Sequence, residues 1–127
     1  MTKKPIGIID GKFHPCPKSP NCVSTQSNVE KHRMHPIKYS ASLEEAKSKI
    51  LKIINTFKRF RIKNETNNYI HVEFRTAFFR FIDDVEFYFD DLEKLIHFRS
   101  AARLGYSDLG VNKKRMERIT KLFYKIN

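Results

Sequence analysis

The period of the apolar residues changes twice along this chain, and that change limits the fold more than any other feature. Between residues 43 and 57, apolar side chains recur every three or four positions, which is typical of an amphipathic helix. From 60 to about 101 they alternate with polar residues, as in strands with one buried face, and from 111 to 126 the helical spacing returns. The sequence therefore predicts an α+β domain with the element order α-β-β-β-β-α.

Each predicted helix carries one apolar stripe. The first helix follows Ser42-Leu43-Glu44-Glu45, which has the form of a capping box with Ser42 as the N-cap. Its predicted buried residues are Leu43, Ala46, Ile50, Ile53, Ile54 and Phe57. Those of the last helix, predicted over 111–126, are Val111, Met116, Ile119, Leu122, Phe123 and Ile126. We expect both stripes to cover the same face of a sheet.

Four strands are predicted between the helices, and the third, over 78–89, is the longest. The predicted inward residues are Phe60, Ile62, Ile70, Val72, Phe74, Phe79, Phe81, Asp83, Val85, Phe87, Phe89, Ile96 and Phe98. The sequence thus predicts a two-layer sandwich, in which a four-stranded antiparallel meander is covered on one face by two helices.

The strand register is predicted from charge. Pairing Phe87 with Phe98 sets Glu86 opposite Arg99. Pairing Phe74 with Phe79 sets Glu73 opposite Arg80. Both pairings keep apolar residues on one face and oppose unlike charges on the other, which we expect to face solvent.

Residues 1–41 are rich in Pro, Ser, Asn, Lys and His and show no sustained period. We predict an irregular segment packed on or preceding the α+β core at 42–127, with a single domain overall. No apolar run approaches the ~20 residues of a membrane span, and no secretory signal is recognised. These features predict a cytoplasmic location and no membrane span.

The formal net charge of +11 favours polyanionic partners. Nucleic-acid binding through the outer sheet face is one hypothesis, although Glu73, Asp84 and Glu86 interrupt the basic stripe. The stripe consists of Arg59, Arg61, Lys63, Arg75 and Arg80. A small anionic ligand or a protein partner is a further candidate. No zinc-finger spacing or cofactor motif is present, so neither a metal nor a cofactor is predicted.

Asp83 is the first candidate for chemistry, because it falls on the apolar face of the third strand. A buried carboxylate needs a cation, hydrogen bonds or a proton. It could contact a ligand or act as a catalytic acid, or it could simply fix the loop after the fourth strand. A bulge at Asp83-Asp84 would instead expose it.

Asp84 and Glu86 share the outer face of the same strand. Their carboxylates could bind a divalent cation, divide the roles of general acid and base, or form salt bridges to Arg80 and Arg99.

The segment 99–112 is dense in hydrogen-bonding groups. Its glycines permit tight turns, and Asp108 or Asn112 can cap the last helix. Arginines and backbone amides near a helix start can hold a phosphate or carboxylate, although fixing the loop explains the same residues. With Asp83, the predicted ligand-binding candidates are Arg99, Ser100, Arg103, Tyr106, Ser107, Asp108, Asn112 and Arg115.

Cys16 and Cys22 flank a short proline-containing loop. Their spacing does not match a zinc knuckle, even with His14, His32 and His35 nearby. Two reduced thiols are expected in a cytoplasm, and a disulfide closing the loop is the alternative where the compartment permits it.

Several strings together resemble domain-of-unknown-function family 1499. They are CPKSPNCVS at 16–24, FIDDVEF at 81–87, RSAARLGYSDLGVN at 99–112 and RME at 115–117. The resemblance extends from about residue 16 to 123. It implies a shared fold and a shared polar patch, and it implies no reaction, because the family is uncharacterised.

Three functions follow as hypotheses. The first is a small binding or accessory domain that holds a polar or anionic ligand, or a partner segment, at the Asp83 end of the sheet. The second is a hydrolase-type enzyme using Asp83 or Asp84 with Arg99 or Arg103. The third is nucleic-acid binding through the basic face.

Overall fold

The computed structural model describes residues 5–77 and 80–126 and confirms the α+β class, with two helices and a mostly antiparallel sheet. The helices are α1 (Leu43–Ile54) and α2 (Val111–Lys125), and a 3-10 turn spans Glu30–His32. The strands are β1 (Ile8–Ile9), β2 (Lys12–Phe13), β3 (Cys22–Ser24), β4 (Ile37–Lys38), β5 (Phe60–Glu65), β6 (Tyr69–Arg75), β7 (Ile82–Asp90) and β8 (Leu95–Ala102).

The main sheet has six strands rather than the four predicted. Strands β5 to β8 are adjacent in chain order, and β3 and β4 both pair with the free side of β8. Strands β1 and β2 form a separate two-stranded sheet. The segment before α1 is therefore only partly irregular, since four of its short stretches are strands.

The predicted pairing of β7 with β8 is confirmed, because Phe87 lies opposite Phe98 and Glu86 lies opposite Arg99. The register is continuous along β7, so no bulge exposes Asp83.

The predicted pairing of β6 with β7 is wrong. Phe74 lies opposite Asp83, and Glu73 lies opposite Asp84 rather than Arg80. The link between the strands is longer than predicted, since the Thr76 backbone N–H donates to the Phe81 carbonyl and β7 begins only at Ile82. Phe81 is therefore 48 % exposed, and the predicted strand residues Phe78 and Phe79 lie outside the described residues.

One face of the sheet packs against both helices, as predicted. The Ser42 hydroxyl accepts a hydrogen bond from the Glu45 backbone N–H, which confirms the capped start of α1. The buried core combines α1, α2 and the inward strand residues, among them Ile50, Ile54, Val72, Phe87, Phe98, Met116 and Ile119. Val111 was predicted to be buried but is 38 % exposed, and the buried position at the start of α2 belongs to Asn112.

The second face of the sheet is not open to solvent as predicted. Asp84, Glu86 and Arg99 all lie on it and are no more than 4 % exposed. The N-terminal segment covers part of this face, because the Gly7 backbone N–H donates to Glu86 and the Pro15 carbonyl accepts from Arg99. The fold is therefore a sheet with helices on one side and the first part of the N-terminal segment, around Gly7 and Pro15, on the other. Neither described helix is long and apolar enough to cross a membrane.

Candidate functional site

The sheet separates the predicted site residues into two groups. Asp83 and Ser100 point toward the helices, because each lies at an inward position of its strand. Asp84, Arg99 and Arg103 contact partners on the opposite face. The predicted candidates therefore do not converge on one site, and Asp83 has neither Arg99 nor Arg103 as its partner.

On the helix side, Asp83 belongs to a network that ties α2 to the sheet. The Arg115 Nη2 atom donates to Asp83 Oδ2 over 2.7 Å, and Arg115 Nη1 donates to Asn112 Oδ1 over 3.0 Å. The Ser100 hydroxyl also donates to Asn112 Oδ1. Burial raises the pKa of the Asp83 carboxyl, while Arg115 opposes that rise. The position and partners of Asp83 match the interpretation in which it fixes the chain around the start of α2.

Asp108 holds the start of α2. Its carboxylate accepts hydrogen bonds from the Gly110 and Asn112 backbone N–H groups and from Asn112 Nδ2. Burial alone would raise the pKa of Asp108, but these hydrogen bonds outweigh burial and lower it. The N-cap residue of α2 is Gly110, which makes no side-chain capping bond, so neither predicted cap, Asp108 or Asn112, occupies that position. Asp108 lies two residues earlier and accepts from the Asn112 backbone N–H, and Asn112 links it to Ser100 and Arg115.

On the opposite face, Arg103 joins two carboxylates. Its Nε donates to Asp84 Oδ2 over 2.7 Å and its Nη2 donates to Asp84 Oδ1 over 2.9 Å. The Nη2 atom also pairs with Glu73, and His71 Nε2 lies 2.8 Å from Asp84 Oδ1. The side chains of Arg103, Asp84 and Glu73 are at most 12 % exposed. We call Arg103, Asp84, Glu73 and His71 the outer ion cluster. Of the alternatives for Asp84, the geometry matches salt bridging, with Arg103 in the place predicted for Arg80.

The outer ion cluster makes folding stability sensitive to acid. Burial raises the pKa of Asp84, but hydrogen bonds from His71 and Arg103 outweigh burial and lower it to about 2. A lowered folded-state pKa stabilises the protein above the ordinary value of 3.8 and stops doing so as pH falls toward 2. We expect Asp84 to account for about 2 kcal/mol of unfolding free energy lost over that interval.

Urea unfolding of the unmodified protein and of Asp84→Asn across this interval checks the expectation. The variant is less stable at neutral pH, but its stability should fall less steeply with acid. Equal slopes in the two proteins would assign the acid sensitivity to other carboxyl groups.

Next to this cluster lies a second buried pair with poorer geometry. Glu86 Oε2 accepts hydrogen bonds from the Tyr69 hydroxyl and the Gly7 backbone N–H, at 2.6 and 2.8 Å. Arg99 Nη1 lies 3.7 Å from Glu86 Oε1. Neither Glu86 Oε1 nor Arg99 Nε has a hydrogen-bond partner within the described part of the chain. Burial lowers the pKa of Arg99, and Glu86 opposes that change.

A cleft of about 340 Å³ opens at the end of the sheet where β7 begins and β8 ends. We call it the tip cleft. Its walls are mostly apolar side chains that are also exposed, and the buried Asp83 is among its lining residues. The exposed apolar wall residues are Phe81, Leu104, Leu109 and Val111. Of the other predicted candidates, Ser107 and Asp108 line this cleft, and Tyr106 is 70 % exposed in the same loop.

A second cleft, of about 270 Å³, lies at the same end of the sheet and shares no described lining residue with the tip cleft. Four exposed arginines line it, and we call it the arginine cleft. They are Arg59, Arg61, Arg75 and Arg80. Arg75 precedes Thr76 and Arg80 precedes Phe81 in the chain, and Thr76 and Phe81 line the tip cleft, so the two clefts are neighbours. Four of the five residues of the predicted basic stripe thus line one cleft at the sheet end, and Lys63 is not among its described lining residues.

Cys16 and Cys22 form a disulfide, with their Cα atoms 5.7 Å apart. This is the alternative to the expected pair of reduced thiols. The buried His32 supports the loop, because its Nδ1 atom lies 2.8 Å from the Cys22 carbonyl oxygen. Disulfides are typical of oxidising compartments, and the cytoplasmic location stays a prediction. Within residues 5–77 and 80–126, no group of three His, Cys, Asp or Glu side chains is arranged to hold a metal ion.

A comparison with family profiles places these features in a known group. The profile of the family described as "Protein of unknown function (DUF1499)" matches residues 12–123. The chain belongs to the DUF1499 family. No curated protein matches it significantly. The match spans the disulfide loop, the buried ion pairs of Arg99, Arg103 and Arg115 and the described residues that line the two clefts, so all of them lie within the DUF1499 domain.

Sequence reasoning missed two parts of this DUF1499 domain's polar organisation. His71 and Tyr69 were not candidates, yet they contact Asp84 and Glu86. Both lie at alternate positions of β6, on the same face as Glu73. That alternation could have shown that both side chains share a face with the acids of β7. It was not used because the outer face of the sheet was expected to be exposed to solvent.

Proposed function

We propose that this protein is a small binding domain that holds a ligand with an apolar body and an anionic group. The apolar body would occupy the tip cleft and the anionic group would contact the arginine cleft. The observation that carries the proposal is the adjacency of the two clefts, one with mostly apolar walls and one lined by four arginines. Ligand sites commonly combine an apolar hollow with a few charged groups that fix orientation.

Leu109 supports the apolar half of the proposal. It is 85 % exposed, and its backbone has a φ of 56°, in the left-handed region that disfavours leucine. An exposed apolar side chain at a strained backbone position does nothing for the stability of the isolated domain. Strained backbone conformations and exposed apolar side chains of this kind are concentrated at functional sites.

The arginines support the anionic half. Arg99, Arg103 and Arg115 are all paired with carboxylates inside the domain. The four arginines of the arginine cleft form no salt bridge with any described residue, and the one acid that lines that cleft, Glu73, is paired with Arg103. Apart from a long hydrogen bond of 3.4 Å from Arg59 Nε to the Arg75 carbonyl, their guanidinium groups are available for an external carboxylate, sulfonate or phosphate.

A larger cleft of about 530 Å³ lies between α1 and the end of α2 and is a less suitable site. Its lining mixes lysines with aromatic rings, and Lys49 Nζ lies 4.0 Å from the centre of the Phe123 ring. No cluster of unpaired arginines adjoins it among the described residues. We therefore place the ligand at the tip.

Anilinonaphthalene sulfonate tests the proposal, because this dye joins an aromatic body to one anionic group. We expect saturable binding with a rise in fluorescence, and a dissociation constant about tenfold higher for Leu109→Asn, since burial of a leucine contributes roughly 1.5–3 kcal/mol. Asparagine tolerates a positive φ, so this variant should fold as stably as the parent.

The matched control is Leu92→Asn. Leu92 is 99 % exposed and lies in the turn between β7 and β8, at the other end of the sheet. Its replacement should leave dye binding unchanged. Equal affinities for the two variants, or no binding by the unmodified protein, would contradict the proposal.

A further inference from the structure

The two ends of the sheet differ in charge. The tip end, where β5 and β7 begin and α2 starts, carries exposed cations with no acidic partner among the described residues. They are Arg59, Arg61, Arg75, Arg80, Lys113 and Lys114. The opposite end carries the acids of the β7–β8 turn, of the start of α1 and of the end of β5, together with Lys38, Lys47 and Lys94. Of these lysines, Lys47 pairs with Glu65 and Lys94 pairs with Asp91. These acids are Glu44, Glu45, Glu65, Asp90, Asp91 and Glu93. A molecule with this asymmetry turns its tip end toward a negative surface.

Exposed apolar side chains project from the same tip end. Phe81 and Leu104 are each 48 % exposed, Tyr106 is 70 % exposed and Leu109 is 85 % exposed. They come from two neighbouring loops, the link before β7 and the segment after β8. Apolar and aromatic side chains surrounded by arginine and lysine are suited to the boundary between lipid headgroups and acyl chains.

We infer that the ligand is anionic phospholipid in a bilayer and that the tip end docks on the membrane surface. The inference rests on the proposed function and names its ligand. Phe81, Leu104 and Leu109 would enter the acyl boundary, and the arginine cleft would bind headgroup phosphates. Guanidinium groups suit this role because they can donate two parallel hydrogen bonds to one phosphate.

Nucleic acid fits the same surface less well. Single-stranded nucleic acid is bound by basic grooves with aromatic side chains for base stacking. At this tip end the aromatic Phe81 and Tyr106 stand beside the aliphatic Leu104 and Leu109, and the two leucines give no stacking platform. The acids at the opposite end would also be repelled by an extended polyanion, whereas a flat membrane meets only the tip.

Co-sedimentation of the full chain with vesicles tests the inference. We expect at least tenfold stronger partitioning onto phosphatidylcholine vesicles that contain phosphatidylserine than onto pure phosphatidylcholine vesicles. The double variant Arg75→Gln/Arg80→Gln should lower partitioning about 25-fold, since each arginine near an anionic surface contributes about fivefold. The control is Lys121→Gln/Lys125→Gln, which removes the same charge from exposed positions near the other end of α2. It should lower partitioning only slightly.

The Leu109→Asn variant tests the apolar contribution to vesicle binding. It should lower partitioning about tenfold with no loss of folding stability, while Leu92→Asn should have no effect. Inorganic phosphate at matched ionic strength should not displace the protein from vesicles.

The inference is overturned by equal partitioning onto neutral and anionic vesicles, by displacement with phosphate, or by binding of a single-stranded oligonucleotide without vesicle binding. If the protein binds the dye but not the vesicles, only the assignment of phospholipid as the ligand is rejected. If the protein binds neither the dye nor the vesicles, the proposed function is rejected as well.

Discussion

Replacing Arg103 with alanine is expected to lower the free energy of unfolding by about 3–5 kcal/mol. The substitution would leave Asp84 and Glu73 without their shared cation, and both carboxylates are almost fully buried under the outer face. An uncompensated buried charge costs far more than the pair contributed. The favourable hydrogen bond to Asp84, together with that to Glu73, also raises the pKa of Arg103 despite burial, so the guanidinium stays charged at any ordinary pH.

Urea denaturation with Arg80→Ala as a control measures this effect. Arg80 is exposed and has no salt bridge to any described residue, so its removal should change stability by less than about 0.5 kcal/mol. If both alanine variants lost the same stability, the outer ion cluster would not be the buried, paired group described above.

The second large effect concerns Arg99 and Glu86. Here the informative comparison is between the stability of the double variant and that of the single variants. Arg99→Met alone should cost about 3 kcal/mol, because it leaves the buried Glu86 carboxylate with hydrogen bonds only on Oε2. The pair itself is poorly satisfied, with 3.7 Å between Arg99 Nη1 and Glu86 Oε1, and each side chain has a buried atom without a hydrogen-bond partner among the described residues. We therefore expect Glu86→Gln/Arg99→Met to fall within about 1 kcal/mol of the unmodified protein.

A double-mutant cycle in urea gives that comparison directly. The cycle consists of the unmodified protein, the two single variants Glu86→Gln and Arg99→Met, and the double variant. Glutamine at position 86 removes the negative charge while its side-chain amide oxygen can still accept from Tyr69 and Gly7, so the charge effect is isolated. Additive losses in the double variant would mean that the two charges do not interact through the buried face.

The parts of the fold that could be predicted are those where the apolar period is long. The start of α1 follows from Ser42 and Glu45, and the β7–β8 register follows from Glu86 and Arg99, because an error of one residue would bury the wrong face. Asp83 was correctly placed on the inward side, and its cation, Arg115, was among the residues grouped with it as ligand-binding candidates.

The errors arose where sequence periodicity carries little information. Strands β3 and β4 have three and two residues, too few for an alternating pattern. They also pair with β8 over long separations in the chain, which no local pattern reveals. The β6–β7 register failed because the length of the link at Thr76–Phe81 was underestimated, and Phe74 consequently pairs with Asp83.

The candidate site was misjudged for a single physical reason. Charged residues on alternate strand positions were assumed to face solvent, whereas the N-terminal segment covers part of that face. Asp84, Arg99 and Arg103 thus became internal ion pairs. Two exposed residues matter for the proposal. Leu109 was predicted in a loop and Phe81 in the core, because the sequence does not show the tertiary contacts that decide which side chains at a turn are exposed.

The most direct test of the binding proposal is a map of backbone amide shifts by nuclear magnetic resonance. Dodecyl phosphate, added as monomers, carries one apolar chain and one anionic group. The account predicts that the largest shifts fall on the residues of the two clefts, near Arg59, Arg75, Phe81, Leu104 and Leu109. Shifts concentrated instead in the β7–β8 turn, the disulfide loop or the cleft between α1 and α2 would contradict it.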